Sequence, residues 1–366
     1  MKFEVGRNEL LNALQSVVGV VERRQTMPVL SNFLLDAAKD GLTVTGTDLE
    51  LELVSRAQVK TTTAGKVTVP ARKLFDIVRS LPEGATLTLD GGADRVTLKS
   101  GKSRYSLSAM KPEEFPALSA ASTGRSIKLP RKALRELLDR TQFAMAQQDV
   151  RYYLNGLLLH VTAKRVRAVA TDGHRLALSE LVQDTKLKEE AQVIVPRKAV
   201  LELLRLLDNS DDTVELRLGE GQIQVDLDSV RLTTKLIDGR FPDYERVIPE
   251  DSNQRITALR DKVRQALARV TPVTNDKFRG VRLQLADNQL RVSARNQEQD
   301  EGEDEIEVTY NGPALEIGFN VNYLLDALSA MQGEQFTMDF KGSDSSGLIQ
   351  EVGAAHSKYV VMPMRI

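Results

Sequence analysis

Apolar residues keep two rhythms along this chain. In NELLNALQSVV (from Asn8), RKALRELLDRTQFA (from Arg131) and RDKVRQALARV (from Arg260) they return every third or fourth position, which predicts a helix with one buried face. A second helix is predicted downstream of each, over Ala71–Leu81, Arg197–Asp208 and Asn320–Met331. In LSNFLLDAA and LTVTGTD the apolar residues alternate, which predicts half-buried strands. ATLTLDGGADRVTLKSGKSRYSLSAM alternates through Asp-Gly-Gly and Ser-Gly-Lys, and TVELRLGEGQIQVDLDSVRLTTKLI through Gly-Glu-Gly, so both read as hairpin strands.

The rhythms recur with one period. VTGTDLELELVSR and AVATDGHRLALSE place Asp48 and Asp172 124 residues apart, and a weaker copy places Asn296 another 124 beyond. VTVPARKLFDIV, VIVPRKAVLELL and IGFNVNYLLDAL align Val69, Val195 and Phe319 at steps of 126 and 124. MKPEEFP and LIDGRFPDYERVIP align Pro116 with Pro242, a step of 126. Three landmarks with one period mean three copies of one unit. The expected fold class is α+β: three similar domains, 1–121, 122–249 and 250–366, each with two helices on antiparallel sheet. Small and turn-prone residues around Ala121–Gly124 and Pro249–Asn253 suit linkers.

Composition narrows the function. The chain has 366 residues, no cysteine and a net charge of −1, which excludes disulfide and thiolate chemistry and a simple polybasic binder. No apolar run approaches the roughly 20 residues that span a bilayer, and the charged N-terminus MKFEVGR does not read as a signal peptide. A cytoplasmic, nucleoid-associated protein is expected. The net charge conceals a partition: the six predicted helices sum to +7 and the remainder to −8. Scattered solvated bases would give this; so would repeated helices turned toward a phosphate backbone, a contact that binds without reading sequence. Arg23 and Arg24 in one loop, and Gln147, Gln148, Arg151, Tyr152 and Tyr153 in another, add phosphate and sugar partners, although a strand with one ring in the core would also explain the tyrosines.

A second asymmetry concerns self-association. Arg95–Arg104 carries four bases and no acid; Glu298–Glu307 carries seven acids and no base. Like charges can protect a sheet edge from aggregation. Opposite signs in the first and third copies also suit a head-to-tail contact, which closes into a ring when the rotation permits.

Nothing assembles into a catalytic site. His174 with Asp172 in TDGHR suggests a base and its orienter, but no nucleophile signature, zinc spacing or phosphate loop accompanies them, and Asp172–Gly173 reads as a turn. No enzyme activity, metal or cofactor is expected. The tail YVVMPMRI reads as a final edge strand whose Met-rich end suits varied partners.

The motifs QQDVRYYLNG, TDGHRLAL, VPRK, DGRFPDYERVIP and YVVMPMRI, in register over the whole chain, resemble the bacterial DNA polymerase III beta subunit family, the sliding clamps. The resemblance implies a head-to-tail homodimer of six similar domains forming a ring on double-stranded DNA. It would tether the catalytic subunit of DNA polymerase III, the clamp loader, other polymerases and repair factors through short linear motifs. The matching DNA positions are Arg24, Arg72, Lys73, Gln148, Tyr152, Tyr153, Arg197 and Lys198. The matching partner groove comprises Arg151, Leu154, Thr171, Gly173, His174, Arg175, Leu176, Pro242, Arg246, Val247, Asn320, Tyr323, Val360, Val361, Met362, Pro363 and Met364, with His174 and Arg175 expected to hydrogen-bond a peptide backbone. The matching dimer contact sets Lys73, Arg95, Lys102, Arg104, Tyr105 and Leu107 against Glu298, Asp300, Glu301, Glu303 and Asp304. There the chain departs from the family pattern: Thr271–Pro272–Val273 stands where an aliphatic pair is expected, so Pro272 and Val273 leave the strength of the seam open.

Overall fold

The computed structural model describes residues 1–22, 27–116, 118, 124–250, 252–274 and 279–365. Arg23 and Arg24 lie outside the described residues. Six α-helices are present among them: α1 Arg7–Val17, α2 Ala71–Ser80, α3 Arg131–Asp139, α4 Arg197–Leu206, α5 Arg260–Val270 and α6 Val321–Ala330. The expected helix from Arg131 to Ala144 stops early. Thr141 Oγ1 bonds back to Leu137 O at 2.7 Å, and a separate 3₁₀ turn follows over Gln142–Ala144.

Two of the second helices follow a proline. Pro70 and Pro196 end strands, and α2 and α4 begin at the next residue. Before α6 the cap is Asn320, whose side chain accepts from Asn322 N at 2.9 Å. The first helix of each copy opens on an arginine. The backbone N–H groups of Arg7, Arg131 and Arg260 donate to the carbonyls of Ala85, Asp212 and Glu334 at 2.7, 2.9 and 2.8 Å. Their side chains run to the end of the second helix. Arg7 donates to Val78 O and Arg79 O, Arg260 to Met331 O, and Arg131 pairs with Asp208. A cation there satisfies orphan carbonyls and the negative end of the helix dipole.

The chain packs as two compact units. The first, Met1–Arg131 with Leu201–Leu236, holds two antiparallel sheets. Five strands run in the order Lys60–Thr63, Lys2–Gly6, Thr86–Gly91, Arg95–Ser100, Ser103–Ser108. Eight run in the order Arg125–Pro130, Thr213–Leu218, Gln222–Leu227, Val230–Lys235, Leu51–Ala57, Gly41–Thr47, Asn32–Ala38, Gly65–Pro70. The second unit, Lys132–Val200 with Ile237–Ile366, holds nine strands in the order Ala191–Pro196, Gly156–Val161, Arg165–Thr171, Arg175–Val182, Ala354–Val361, Gly347–Glu351, Gln335–Phe340, Gln254–Leu259, Thr309–Tyr310. Its other sheet runs Glu301–Glu307, Gln289–Arg295, Gly280–Ala286, Leu315–Asn320.

The two larger sheets each draw strands from two sequence copies. Val230–Lys235 pairs with Leu51–Ala57 from Val230↔Ser55 to Thr234↔Leu51. Arg175–Val182 pairs with Ala354–Val361 from Arg175↔Val361 to Ser179↔Ser357. Helices supply the cores with one face each: Leu10, Ala13, Leu14 and Val17 of α1, and Val263, Ala266, Leu267 and Val270 of α5, are buried. Each such leucine or valine contributes about 1.5–3 kcal/mol on burial.

Two expectations are corrected. The C-terminal tail is not an edge strand: Val361 pairs with Arg175 on one side and Gly347 on the other, so Val360 and Val361 are buried whereas Met362 beyond them is exposed. The alternative of a strand around Tyr152–Tyr153 is replaced by a 3₁₀ turn, Tyr152–Leu154, because Asn155 N and Leu154 N bond back to Tyr152 O and Arg151 O.

Candidate functional site

The turn Thr171–Arg175 is built by side chains. Thr171 Oγ1 accepts from Gly173 N at 3.1 Å, and Asp172 Oδ1 accepts from His174 N at 2.9 Å and Arg175 N at 3.1 Å. Gly173 sits at φ 90°, where a Cβ would lie 2.7 Å from the Arg151 guanidinium. The first copy repeats the device: Thr47 Oγ1 accepts from Leu49 N, Asp48 Oδ1 accepts from Glu50 N and Leu51 N, and Leu49 takes the positive φ, 80°. What looked like a catalytic dyad is therefore a turn: the Asp172 carboxylate is spent on two backbone N–H groups and Arg175 Nε.

Beside this turn lies an apolar cleft of about 200 Å³. A dry apolar cavity of ~150 Å³ takes one benzene ring, so this space suits one or two apolar side chains. It is lined by Arg151, Tyr153, Leu154, Thr171, Gly173, Arg175, Leu176, Phe241, Pro242, Tyr244, Val247, Val360 and Met362. Ten of these are sequence-predicted groove residues. Tyr153 was expected at DNA, and Phe241 and Tyr244 were not singled out. The signal for those two is an aromatic pair flanking Pro242 in a segment without strand alternation. His174, Arg246, Asn320, Tyr323, Val361, Pro363 and Met364 do not line the cleft. His174 is exposed at its rim, and its carbonyl accepts from Met362 N at 2.9 Å. Arg246 is exposed and pairs with Asp243, Val361 is buried, and Met364 N donates to Gly318 O.

Arg175 is half-buried in its own network. Nε and Nη1 meet Asp172 Oδ2 at 3.0 Å and Asp326 Oδ2 at 2.6 Å, and Nη2 donates to Phe143 O at 2.8 Å. The guanidinium lies 4.4 Å from the Tyr323 ring centroid and 5.3 Å from that of Phe143. These contacts make it a support of the cleft that it also lines, use three of its five N–H donors, and connect Tyr323 to the cleft indirectly. Arg151 differs: it is exposed, and its bidentate hold on Asp149 pulls that carboxyl down to about 2.

The DNA-matched residues fall at helix starts and one loop. Arg72 and Lys73 are exposed on the first turn of α2, with Arg72 Nη2 donating to Val21 O at 2.6 Å. Arg197 and Lys198 open α4 and are half-buried; burial and then Arg175 hold the Arg197 guanidinium below its ordinary value. Gln148 is exposed at φ 54°, and Tyr152 is exposed, edge-on to Tyr153 at 5.8 Å.

The seam-matched residues lie on and around two outer strands. Ser103–Ser108, an outer strand, carries exposed Arg104 with half-buried Tyr105 and Leu107; Lys102 lies in the preceding turn. Arg95 lies back on that strand through Ser106, and Lys73 stands exposed on α2. Glu301–Glu307 is also an outer strand, preceded by exposed Glu298 and Asp300. Its acids have partners within the chain: Glu301 with Arg295, Glu303 and Glu305 with Arg291, and Asp304 with Arg269. Pro272 is exposed in a 3₁₀ turn after α5, and Val273 packs over Gly302, where a Cβ would lie 2.7 Å from it.

Among the described residues, no cluster of acids and histidines has metal-holding geometry, and no helix is long and apolar enough to cross a membrane.

Three family models match in order: DNA polymerase III beta subunit N-terminal domain over residues 1–119, central domain over 128–243 and C-terminal domain over 245–365. The chain is 48% identical to the beta sliding clamp of Pseudomonas putida and 45% to that of Escherichia coli, in each case over all of both chains. It superposes with TM-score 0.96, at 47% identity and full coverage of both, on a Pseudomonas aeruginosa sliding clamp solved bound to griselimycin.

Proposed function

Because this chain belongs to the DNA polymerase III beta-subunit family and is a DNA sliding clamp, a processivity factor, we propose that two copies close head to tail into a ring around duplex DNA. The observation that carries this reading is the pair of free sheet edges: a basic one at Ser103–Ser108 and an acidic one at Glu301–Glu307. Each terminal copy offers a strand with unpaired backbone groups, and the two differ in sign, so joining them extends a sheet and pairs charge. The three repeats, 1–121, 122–249 and 250–366, would then give six units per ring. Arg24, Arg72, Lys73, Gln148, Tyr152, Tyr153, Arg197 and Lys198 would meet phosphates and sugars, without reading sequence.

The cleft between Leu154, Leu176, Pro242, Val247 and Met362 takes apolar side chains of a short linear motif, through which the polymerase catalytic subunit, clamp loader and repair factors are held. Griselimycin, held by the P. aeruginosa relative, is a ready competitor. No chemistry is performed by the chain itself: Asp172 cannot orient His174 while it holds the turn and Arg175. The protein acts at the nucleoid.

The test is release from DNA. Loaded on a closed circle, the protein should stay for many minutes and leave within the dead time once the circle is linearised. Equal release from both forms would rule out encirclement.

A further inference from the structure

The wall of the cleft formed by Phe241, Pro242, Tyr244 and Val247 belongs to no sheet. After the bridge Ile194↔Ile237 the described residues make a 3₁₀ turn, Glu245–Val247, and no strand before Gln254–Leu259 begins. Side chains tie this segment to the sheet beneath. Tyr244 Oη lies 2.7 Å from His160 Nδ1 and accepts from Arg167 Nη1 at 3.1 Å, and Arg167 Nη1 reaches Glu245 Oε1 at 2.7 Å.

Strand register explains why these residues meet. His160↔Arg167 and Arg167↔Glu180 are directly opposed across three strands, forming a polar row. The neighbouring row on the same face, Leu158↔Val169 and Val169↔Leu178, is apolar and belongs to the core that includes Phe241 and Tyr244. The sheet thus offers a greasy row to the rings and a polar row to one hydroxyl.

Proton accounting makes the anchor sensitive to charge. A phenol has one proton to donate. With its oxygen accepting from Arg167, the Tyr244 hydroxyl can give that proton to Nδ1 of a ring whose own hydrogen is on Nε2. That nitrogen is buried 2.9 Å from Glu190 Oε1, off the axis of a well-directed hydrogen bond. A proton taken up by His160 must sit on Nδ1 and point at an oxygen that already takes Arg167, and the hydroxyl proton loses its acceptor. The charged and titratable groups around the ring are Arg167 and, beyond it, Glu180 on the adjacent strand, Tyr244 and Glu245 on the wall, and Glu190 beside Gln192 on the other side.

We propose that His160 and Arg167 are positioning residues of the partner groove: they hold the Tyr244 hydroxyl, and with it the Phe241–Val247 wall, and protonation of His160 loosens that wall and weakens ligand binding. This rests on the reading of the cleft as a ligand groove. Neither residue lines the cleft, so the effect passes through Tyr244.

The experiment is a titration of the full chain with a fluorescein-labelled octapeptide bearing adjacent leucine and phenylalanine, read by anisotropy from about pH 8 to 5, the window in which imidazoles change charge. Wild type should weaken about three- to tenfold across that range, the worth of one net hydrogen bond. His160→Gln, which retains a donor and an acceptor but does not titrate, should show a flat profile. Tyr244→Phe, which keeps the ring, should be flat and weak throughout. His174→Gln, which removes the imidazole at the rim, should keep the slope. A His160→Gln or Tyr244→Phe protein that retains the wild-type slope, or a flat wild type, overturns the inference alone. If Met362→Asp or excess griselimycin fails to displace the peptide, the groove reading fails and takes the inference with it.

Discussion

Replacing Arg175 with alanine separates support of the groove from contact with a ligand. The substitution removes ion pairs to Asp172 and Asp326, a donor to Phe143 O, and a cation held between two rings. Breaking a buried pair costs about 3–5 kcal/mol. The lower end applies, because Asp326 is 44% exposed and rehydrates while Asp172 keeps two backbone donors. A loss of about 3 kcal/mol in a unit of about 200 residues lowers its Tm by roughly 6–12 °C. Differential scanning calorimetry of the full chain should show that drop in the transition of the second unit, with the first nearly unmoved. Arg175→Lys should recover little of it, since an ammonium can neither fork between two carboxylates nor stack flat between rings. A drop under about 2 °C accompanied by loss of groove binding would refute the argument and return Arg175 to the role of ligand contact.

Two further outcomes follow from burial and close approach. Burial pushes the Tyr359 hydroxyl up to about 12; an unfolded tyrosine ionises near 10, so the unfolded chain loses this proton first. Stability should therefore fall between about pH 10 and 12, by ~2–3 kcal/mol at most. Urea melts should show a shallower alkaline decline in Tyr359→Phe, and an unchanged one would place the burden elsewhere. At the proposed seam, Gly302→Ala adds a methyl 2.7 Å from Val273, overpacking that costs about 1–3 kcal/mol. Sedimentation velocity should find the dimer weakened about tenfold; a dimer as tight as wild type would remove Val273 from the seam.

How much of this was readable in advance depends on the range of each interaction. The threefold repeat was legible because landmarks such as Thr47–Asp48 and Thr171–Asp172 encode one local hydrogen-bonding device, complete within five residues. Helix positions were legible for the same reason, apart from the end of α3, where a threonine back-bond competes. Strand partners were not. Leu51–Ala57 finds Val230–Lys235, and Arg175–Val182 finds Ala354–Val361, across some 180 residues, and alternation states which face is buried but not what lies alongside. The C-terminal tail was misjudged on that account. The supporting contacts of Arg175 are not legible locally, because its acceptors Asp326 and Phe143 O lie on distant segments. His160 drew no attention, although GLLLHV is buried throughout and a histidine inside such a strand must have partners.

The paired acids of Glu301–Glu307 have a consequence for encounter. Seven carboxylates in ten residues suggest a negative pole visible from afar. Arg269, Arg291 and Arg295 stand a few ångströms behind four of them, so three cations offset three of the seven charges and most of the pole survives. In the proposed ring its field would reach an approaching basic edge from about a Debye length, ~8 Å, and steer the encounter. The pairs behind it act later, because each arginine holds its carboxylate in place for the register at contact.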